Sequence, residues 1–416
     1  MGGDQLLAER VRAIQKQRES DVLGEDFSMV LPVLGPLHTE MNYKKLIMKL
    51  FMGEKSGSVV GSLASFNKKL RRKHIDEKAS NFWACLDFTR DCADALLLGL
   101  MVEESGVNGE KGMESWNEFR AKVKSGDVNW RNIVRNVADI LSYRYVDICR
   151  EERDDMSRDR ARENILLFLR MELEFRAFYR AKRDGDVGVM ELILQLWGPQ
   201  FLAGGGSKYG PELMDIRCGM VCEWTEELRE IVRRNWVINP RGRSGKCLGL
   251  DEFMEELVRA YKQQFNPGGS ETTDDFQRNV IARCAIYLMG IKDEVRGGLG
   301  LRKKSGNRSK QDTGPDVMAL LEKVLEEGVG RMVPGRGREA VDQPGGMKEV
   351  DDMMVRGVER MRDGKWWPEF LARSPGCGRV KILRTLGLAD QLDIGDEIAI
   401  EEEDGRDDGM EADDDE

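Results

Sequence analysis

Apolar residues recur along this chain with a helical period. Behind Gly35-Pro36, the residues Tyr43, Leu46, Ile47, Leu50 and Phe51 fall at i, i+3 and i+4, which puts them on one helical face, with Lys44, Lys45 and Lys49 on the other. The same spacing predicts a helix over Phe82–Leu100, with Ser80 as its N-cap, and another over Ile133, Val134, Val137, Ile140 and Leu141. It returns in Leu192, Ile193, Leu196 and Trp197, and in a long helix from Leu213 to Trp236 with Pro211 in its first turn. A last clear case is Leu250, Phe253, Met254, Leu257, Val258 and Tyr261. Strand signals are few. The strongest, Phe27–Leu34, carries Pro32 in its middle, so it is expected as an edge strand or an extended lead-in. The pattern is that of a mainly α protein, a large multi-helix domain with at most a small β remnant.

Composition divides this pattern into regions. The helical domain is expected over residues 1–295. Residues 296–346, rich in Gly, Ser and Lys, read as a flexible linker with one short helix behind Pro315. Short helical segments follow over 347–390, and 391–416 reads as a disordered acidic tail. From Asp393 to Glu416 there are 14 acids and one base, Arg406, so a tail charge of −13 within a total of −10 leaves about +3 on the rest. The net acidity therefore argues against a dedicated nucleic-acid binder only until the tail is set aside. The eight cysteines are scattered without a CxxC pair, which fits reduced thiols. The N-terminus lacks the apolar core of a signal peptide, Leu6 stands where myristoylation wants Ser or Thr, and no apolar run approaches about 20 residues. The expectation is an intracellular protein of nucleus or cytoplasm, neither secreted nor membrane-bound.

Standard chemical motifs mostly fail. GRSGKC at Gly242–Cys247 lacks the first Gly and the final Ser or Thr of a phosphate loop. Cys218 and Cys222 have a spacing that can ligate zinc, but no second pair or nearby histidine completes the set, so buried thiols packing as small hydrophobes are expected. With His38 and His74 the only histidines, no histidine-built site is available. The run NKKLRRKH offers Lys68, Lys69, Arg71, Arg72 and Lys73 for phosphate contacts or nuclear import, against the alternative of a solvated helix end; Phe66 alone supplies no aromatic interleaving. The carboxylates of Asp186, Glu212, Asp251 and Glu252 each stand at a predicted helix start, where capping and favourable charge are the ordinary use. The sharper use is convergence, together with Asp4, on one or two Mg²⁺ ions for phosphodiester chemistry.

Four ordered stretches carry a resemblance: GGDQLLAERVRAIQKQR, VLGPLHTEMNYKKLIMKLFMG, RDGDVGVMELILQLWGPQFLAGGGSKYGPEL and RRNWVINPRGRSGKCLGLDEFMEELVRAYKQQF. Together they resemble the uncharacterised eukaryotic family DUF6589 over roughly residues 2–290, with His38, Asp186, Tyr209, Asn239 and Asp251 among the landmarks. The resemblance implies a mobile-element or transposase ancestry, with part of a ribonuclease-H-like core interrupted by a large helical insertion. By that analogy Asp4 is an inner catalytic acid, Glu212 a late one, and His38 a residue of the turn behind a core strand; if His38 has a chemical task, it is expected to position or assist Asp4. Leu7 stands where the family commonly has Thr, and the chain opens directly on Gly2-Gly3-Asp4 without the upstream strands and first acid of such a core. The expectation is therefore a transposase-derived protein without retained catalysis or cofactor, with nucleic acid as the ancestral partner. The alternatives are a Mg²⁺-dependent nuclease using Asp4 and Glu212, and a helical interaction module whose acidic tail contacts basic proteins.

Overall fold

The computed structural model describes residues 2–3, 5–18, 30–57, 59–107, 112–142, 157–205, 208–265, 312–336 and 350–362, with isolated positions between 279 and 299 and Phe370. Its first feature is a parallel pair of very short strands, β1 (Gly2–Gly3) and β2 (Val33–Leu34), in register Gly2↔Val33 and Gly3↔Leu34. Parallel pairing requires a crossover, and helix α1 (Gln5–Gln17) lies within it. Of the predicted strand Phe27–Leu34, Phe27–Met29 lie outside the described residues and Val30–Pro32 are not strand. Pro32 has no N–H to give to a ladder, and pairing begins only after it.

Among the described residues, every other large element is helix. Helix α2 (Pro36–Phe51) buries Tyr43, Leu46, Ile47 and Phe51, as their spacing predicts. Lys44, expected on its polar side, is instead fully buried. Its Nζ lies 2.5 Å from Glu172, 2.9 Å from the Thr89 hydroxyl and 3.8 Å from the centre of the Phe175 ring, so charge pairing and cation–π attraction hold what periodicity alone would leave outside. Burial pushes its ammonium below the usual lysine range, Glu172 working against that shift.

Helices α3 (Leu63–Leu70) and α4 (Phe82–Glu104) follow. The α4 N-cap is Asn81, whose side chain accepts from the Ala84 N–H; Ser80, the expected cap, donates to Asp76 instead. Next come α5 (Met113–Ser125), α6 (Trp130–Ile140), the long α7 (Arg160–Asp184) and α8 (Val187–Ala203). The single helix expected over Leu213–Trp236 is two: α9 (Tyr209–Cys218), which widens into a π turn at Gly219–Glu223, and α10 (Glu226–Trp236), capped by Thr225. The chain leaves the helix at Trp224, whose backbone is extended and whose side chain folds against Gly219, where a Cβ would lie 2.1 Å from the indole. A hairpin of β3 (Val237–Ile238) and β4 (Leu248–Gly249) leads into α11 (Leu250–Phe265). Two further helices, α12 (Gly314–Glu326) and α13 (Met353–Arg362), bring the described residues to thirteen α-helices, a mainly α fold with two two-stranded sheets.

Trp197 of α8 lies at the centre, stacked on Tyr43 with ring centroids 3.9 Å apart and flanked by Phe178 at 4.6 Å. Burying side chains of this size stabilises by roughly 1.5–3 kcal/mol each before entropy is counted. The same apolar cluster includes Leu320, Leu321 and Val324 of α12 and Met353 of α13, so the core crosses the compositional boundary near residue 296. Arg170 of α7 meets Asp352 at 2.7 Å, both buried, and tethers the start of α13. The acidic tail 391–416 and, within 296–346, residues 296–297, 300–311 and 337–346 lie outside the described residues.

Candidate functional site

The sequence landmarks converge at the N-terminus of α2. Its N-cap is Gly35, which has no side chain to offer, and Pro36 occupies the first turn. The cap comes from far along the chain. Asp251, on the first turn of α11, accepts from the Leu37 N–H at 3.1 Å and the His38 N–H at 2.9 Å, and its Oδ2 lies 2.9 Å from His38 Nδ1. Gly35 makes room for it, since a Cβ there would lie 2.2 Å from the carboxylate. Burial opposes the charge on Asp251, but the His38 ring and N–H and the Leu37 N–H outweigh it and hold the carboxyl below its ordinary range. The His38–Asp251 pair is therefore a charge-assisted contact across 213 positions of sequence.

A second acid–base group lies beside the first. Lys182, near the end of α7, has its Nζ 2.7 Å from Glu40 of α2 and 2.8 Å from Glu252 of α11, with Lys182 and Glu40 both buried. Burial pushes Glu40 up to about 7 in spite of Lys182, and Glu40 Oε1 has no partner among the described residues. Burial also works against the Lys182 charge, but Glu40 and Glu252 prevail and raise its pKa. Three helices are thus tied at one point by Asp251, Glu252, Lys182, Glu40 and His38.

The remaining landmarks lie on the flanks. Asn42, one turn after His38, donates to the Tyr209 hydroxyl at 2.8 Å and to the His38 carbonyl at 2.9 Å. Glu212, one turn after Tyr209, is buried with both carboxylate oxygens on the Arg12 guanidinium of α1, which also reaches Asp215 at 3.2 Å. Asp186 caps α8 through the Val189 N–H at 3.1 Å. Asn239 closes the β3–β4 hairpin through both main-chain groups of Arg243, and the GRSGKC segment is the loop of that hairpin. Trp236 Nε1 donates to the Leu34 carbonyl at 2.9 Å and pins β2 to α10.

Asp4 lies outside the described residues, so its expected contact with His38 does too. Glu212 faces a guanidinium, an arrangement that competes with a metal cation for the same oxygens. Among the described residues no group of three or more His, Cys, Asp or Glu could hold a metal ion. Cys218 is half-buried and Cys222 exposed, contrary to the expected packing as buried small hydrophobes. Of the basic run, Arg72 turns inward to Asp91 and Asp316 and Lys69 pairs with Glu322 at 2.9 Å, while Lys68, Arg71 and Lys73 are exposed. The residues missed by sequence reasoning are Arg12, Glu40, Asn42 and Lys182. Each is an ordinary helical polar position in sequence; burial marks Glu40 and Lys182, and only their long-range partners mark Arg12 and Asn42.

The profile described as Family of unknown function (DUF6589) matches residues 1–308. No curated relative and no solved structure matches the chain. Among the described residues no helix is long and apolar enough to cross a membrane.

Proposed function

We propose that this chain, which belongs to the DUF6589 family, is a mobile-element-derived protein that has kept its ancestor's folded body and not its phosphodiester chemistry. The observation that supports this reading is the use to which the helix-start acids are put. Glu212 neutralises Arg12, Asp251 caps α2 and holds His38, Glu252 pairs with Lys182, and Asp186 caps α8. A two-metal centre needs carboxylate oxygens turned toward a shared cation, and a carboxylate bound to a guanidinium must first lose a buried ion pair. The body then acts as a helical binding scaffold, with nucleic acid as the ancestral partner and the −13 tail suited to basic proteins.

The test is nicking of supercoiled DNA in magnesium by the full chain. The expected result is intact plasmid with the native protein and with Glu212→Gln alike. Magnesium-dependent nicking that disappears in Asp4→Asn or Glu212→Gln overturns the reading and restores a nuclease.

A further inference from the structure

We infer that the loop joining α3 to α4 is a preformed docking site for single-stranded nucleic acid. Its charge is sorted by direction. Arg72 is committed inward to Asp91 of α4 and Asp316 of α12, and it fastens the loop to the body. Lys69 is offset at the surface by Glu322 of α12. Lys68, Arg71, Lys73 and Lys78 are exposed, with Glu77 the one exposed acid of the loop itself. Asp76, half-buried, is turned to the N–H groups of Lys78 and Ser80, at 2.9 and 3.1 Å. Such an arrangement presents cations to a polyanion without paying to collect them from mobile side-chain tethers.

The backbone supplies an independent argument. Among the described residues, the non-glycine positions with positive φ are Arg71 (54°), His74 (63°) and Ala79 (47°), all in this loop. Left-handed backbone costs a non-glycine residue of order 1 kcal/mol, and such positions persist where the surroundings hold them and cluster where function uses them. The holding contacts are present. Asn67 accepts from the Arg72 N–H at 3.0 Å and donates to its carbonyl at 3.2 Å, and the Cys85 thiol lies 3.8 Å from the His74 carbonyl. The loop therefore needs no ordering on binding.

The choice of partner rests on an aromatic side chain. Phe66, just ahead of the basic run, is buried and unavailable, but Trp83 on the first turn of α4 is 43% exposed. An exposed indole beside a basic loop suits stacking on an unpaired base, which a duplex does not offer. An anionic membrane would favour aliphatic side chains beside the indole, and the loop's exposed positions are instead charged, both signs among them, or polar. The inference rests on the proposed function only in taking nucleic acid as the partner class.

The experiment titrates a fluorescent single-stranded oligonucleotide of about 20 residues with the full chain, at about 50 and about 200 mM salt. Combined Lys68→Ala, Arg71→Ala and Lys73→Ala is expected to weaken binding about tenfold at low salt and to reduce the logarithmic salt slope by about 2, as loss of three phosphate contacts requires. Trp83→Ala is expected to reduce binding to single strands and leave binding to duplex of equal length unchanged. Arg180→Ala with Arg234→Ala, which removes two exposed charges elsewhere, is the control and is expected to change little. Circular dichroism establishes that each variant is folded. Equal losses in loop and control variants, unchanged binding in the triple variant, or a triple variant that loses affinity for anionic vesicles and not for the oligonucleotide overturns the inference. Cleavage of the oligonucleotide in magnesium overturns the non-catalytic reading instead and leaves the docking site standing.

Discussion

The N-terminus of α2 and the α3–α4 loop both gather Lys, Asp and Glu side chains, yet the first turns its charges inward and the second largely outward. At the first, Lys182 and Glu40 are both buried, Lys182 bridges Glu40 and Glu252, and Asp251 is 3% exposed with its oxygens on His38 and Leu37. At the second, Arg72 is drawn in and Asp76 is half-buried, while Lys68, Arg71 and Lys73 remain exposed. The difference teaches that a charged cluster is defined by what it faces. A buried ion pair fixes the relative placement of three helices, and removing one member strands the other; a surface pair contributes little and can exchange its partner for a ligand.

The largest test of this contrast is Lys182→Ala. Glu40 and Glu252 lose their shared cation in a closed site, and unfolding by urea should show a loss of about 3–5 kcal/mol. A loss below about 1 kcal/mol would mean that packing, not charge, joins α2, α7 and α11.

The next effect is in the pH dependence. Glu40 is pushed up from its ordinary 4.5 to about 7 by burial, and Glu174, which accepts from Tyr43 and Gln200, is pushed up to about 7 for the same reason. A folded pKa above the unfolded one means that the folded state binds the proton more tightly. The resulting stability is fully present below about 4.5 and is lost as pH rises through about 7. Asp251 has the opposite sign, its contribution present above the ordinary carboxylate range and lost as pH falls through its lowered pKa. Between these limits, Glu40→Gln should remove about half of the decline, on the order of 1–3 kcal/mol, because Glu174 supplies the rest. Urea midpoints across the interval measure it, and a slope identical to that of the native chain would refute the assignment to Glu40.

The smallest effect is expected at the exposed pair. Lys69→Ala should cost less than about 1 kcal/mol and less still at high salt. A larger loss in thermal or urea unfolding would place Lys69 with the buried group and narrow the contrast to nothing.

Much of the helical frame was legible. Tyr43, Leu46, Ile47 and Phe51 face the core as their period requires, and Gly35-Pro36 opens α2. Lys44 was not legible, because its hydrocarbon stem follows the same helix whether its ammonium meets water or meets Glu172, Thr89 and Phe175. The helix Leu250–Phe265 forms as predicted, yet Met254, Leu257 and Val258 are exposed, since amphipathic spacing says that a face is apolar and not what it meets. For the site, the family resemblance brought forward His38, Tyr209 and Asp251 as separate landmarks, and the predicted helix starts singled out Glu212 and Asp251. Nothing in it paired His38 with Asp251, or Glu212 with Arg12 at a separation of 200.

What the chain determines alone are local quantities: the period of its apolar residues, the turns at Gly and Pro, the helix-start acids and the segregation of charge into the tail. These follow from neighbours a few positions apart, where geometry is nearly fixed by backbone dihedrals. The tertiary structure decided which helix Asp251 would cap, which cation would occupy Glu212, and which members of the basic run would face outward. Those outcomes depend on desolvation and on distances between residues far apart in sequence, and both come into existence only when the helices pack.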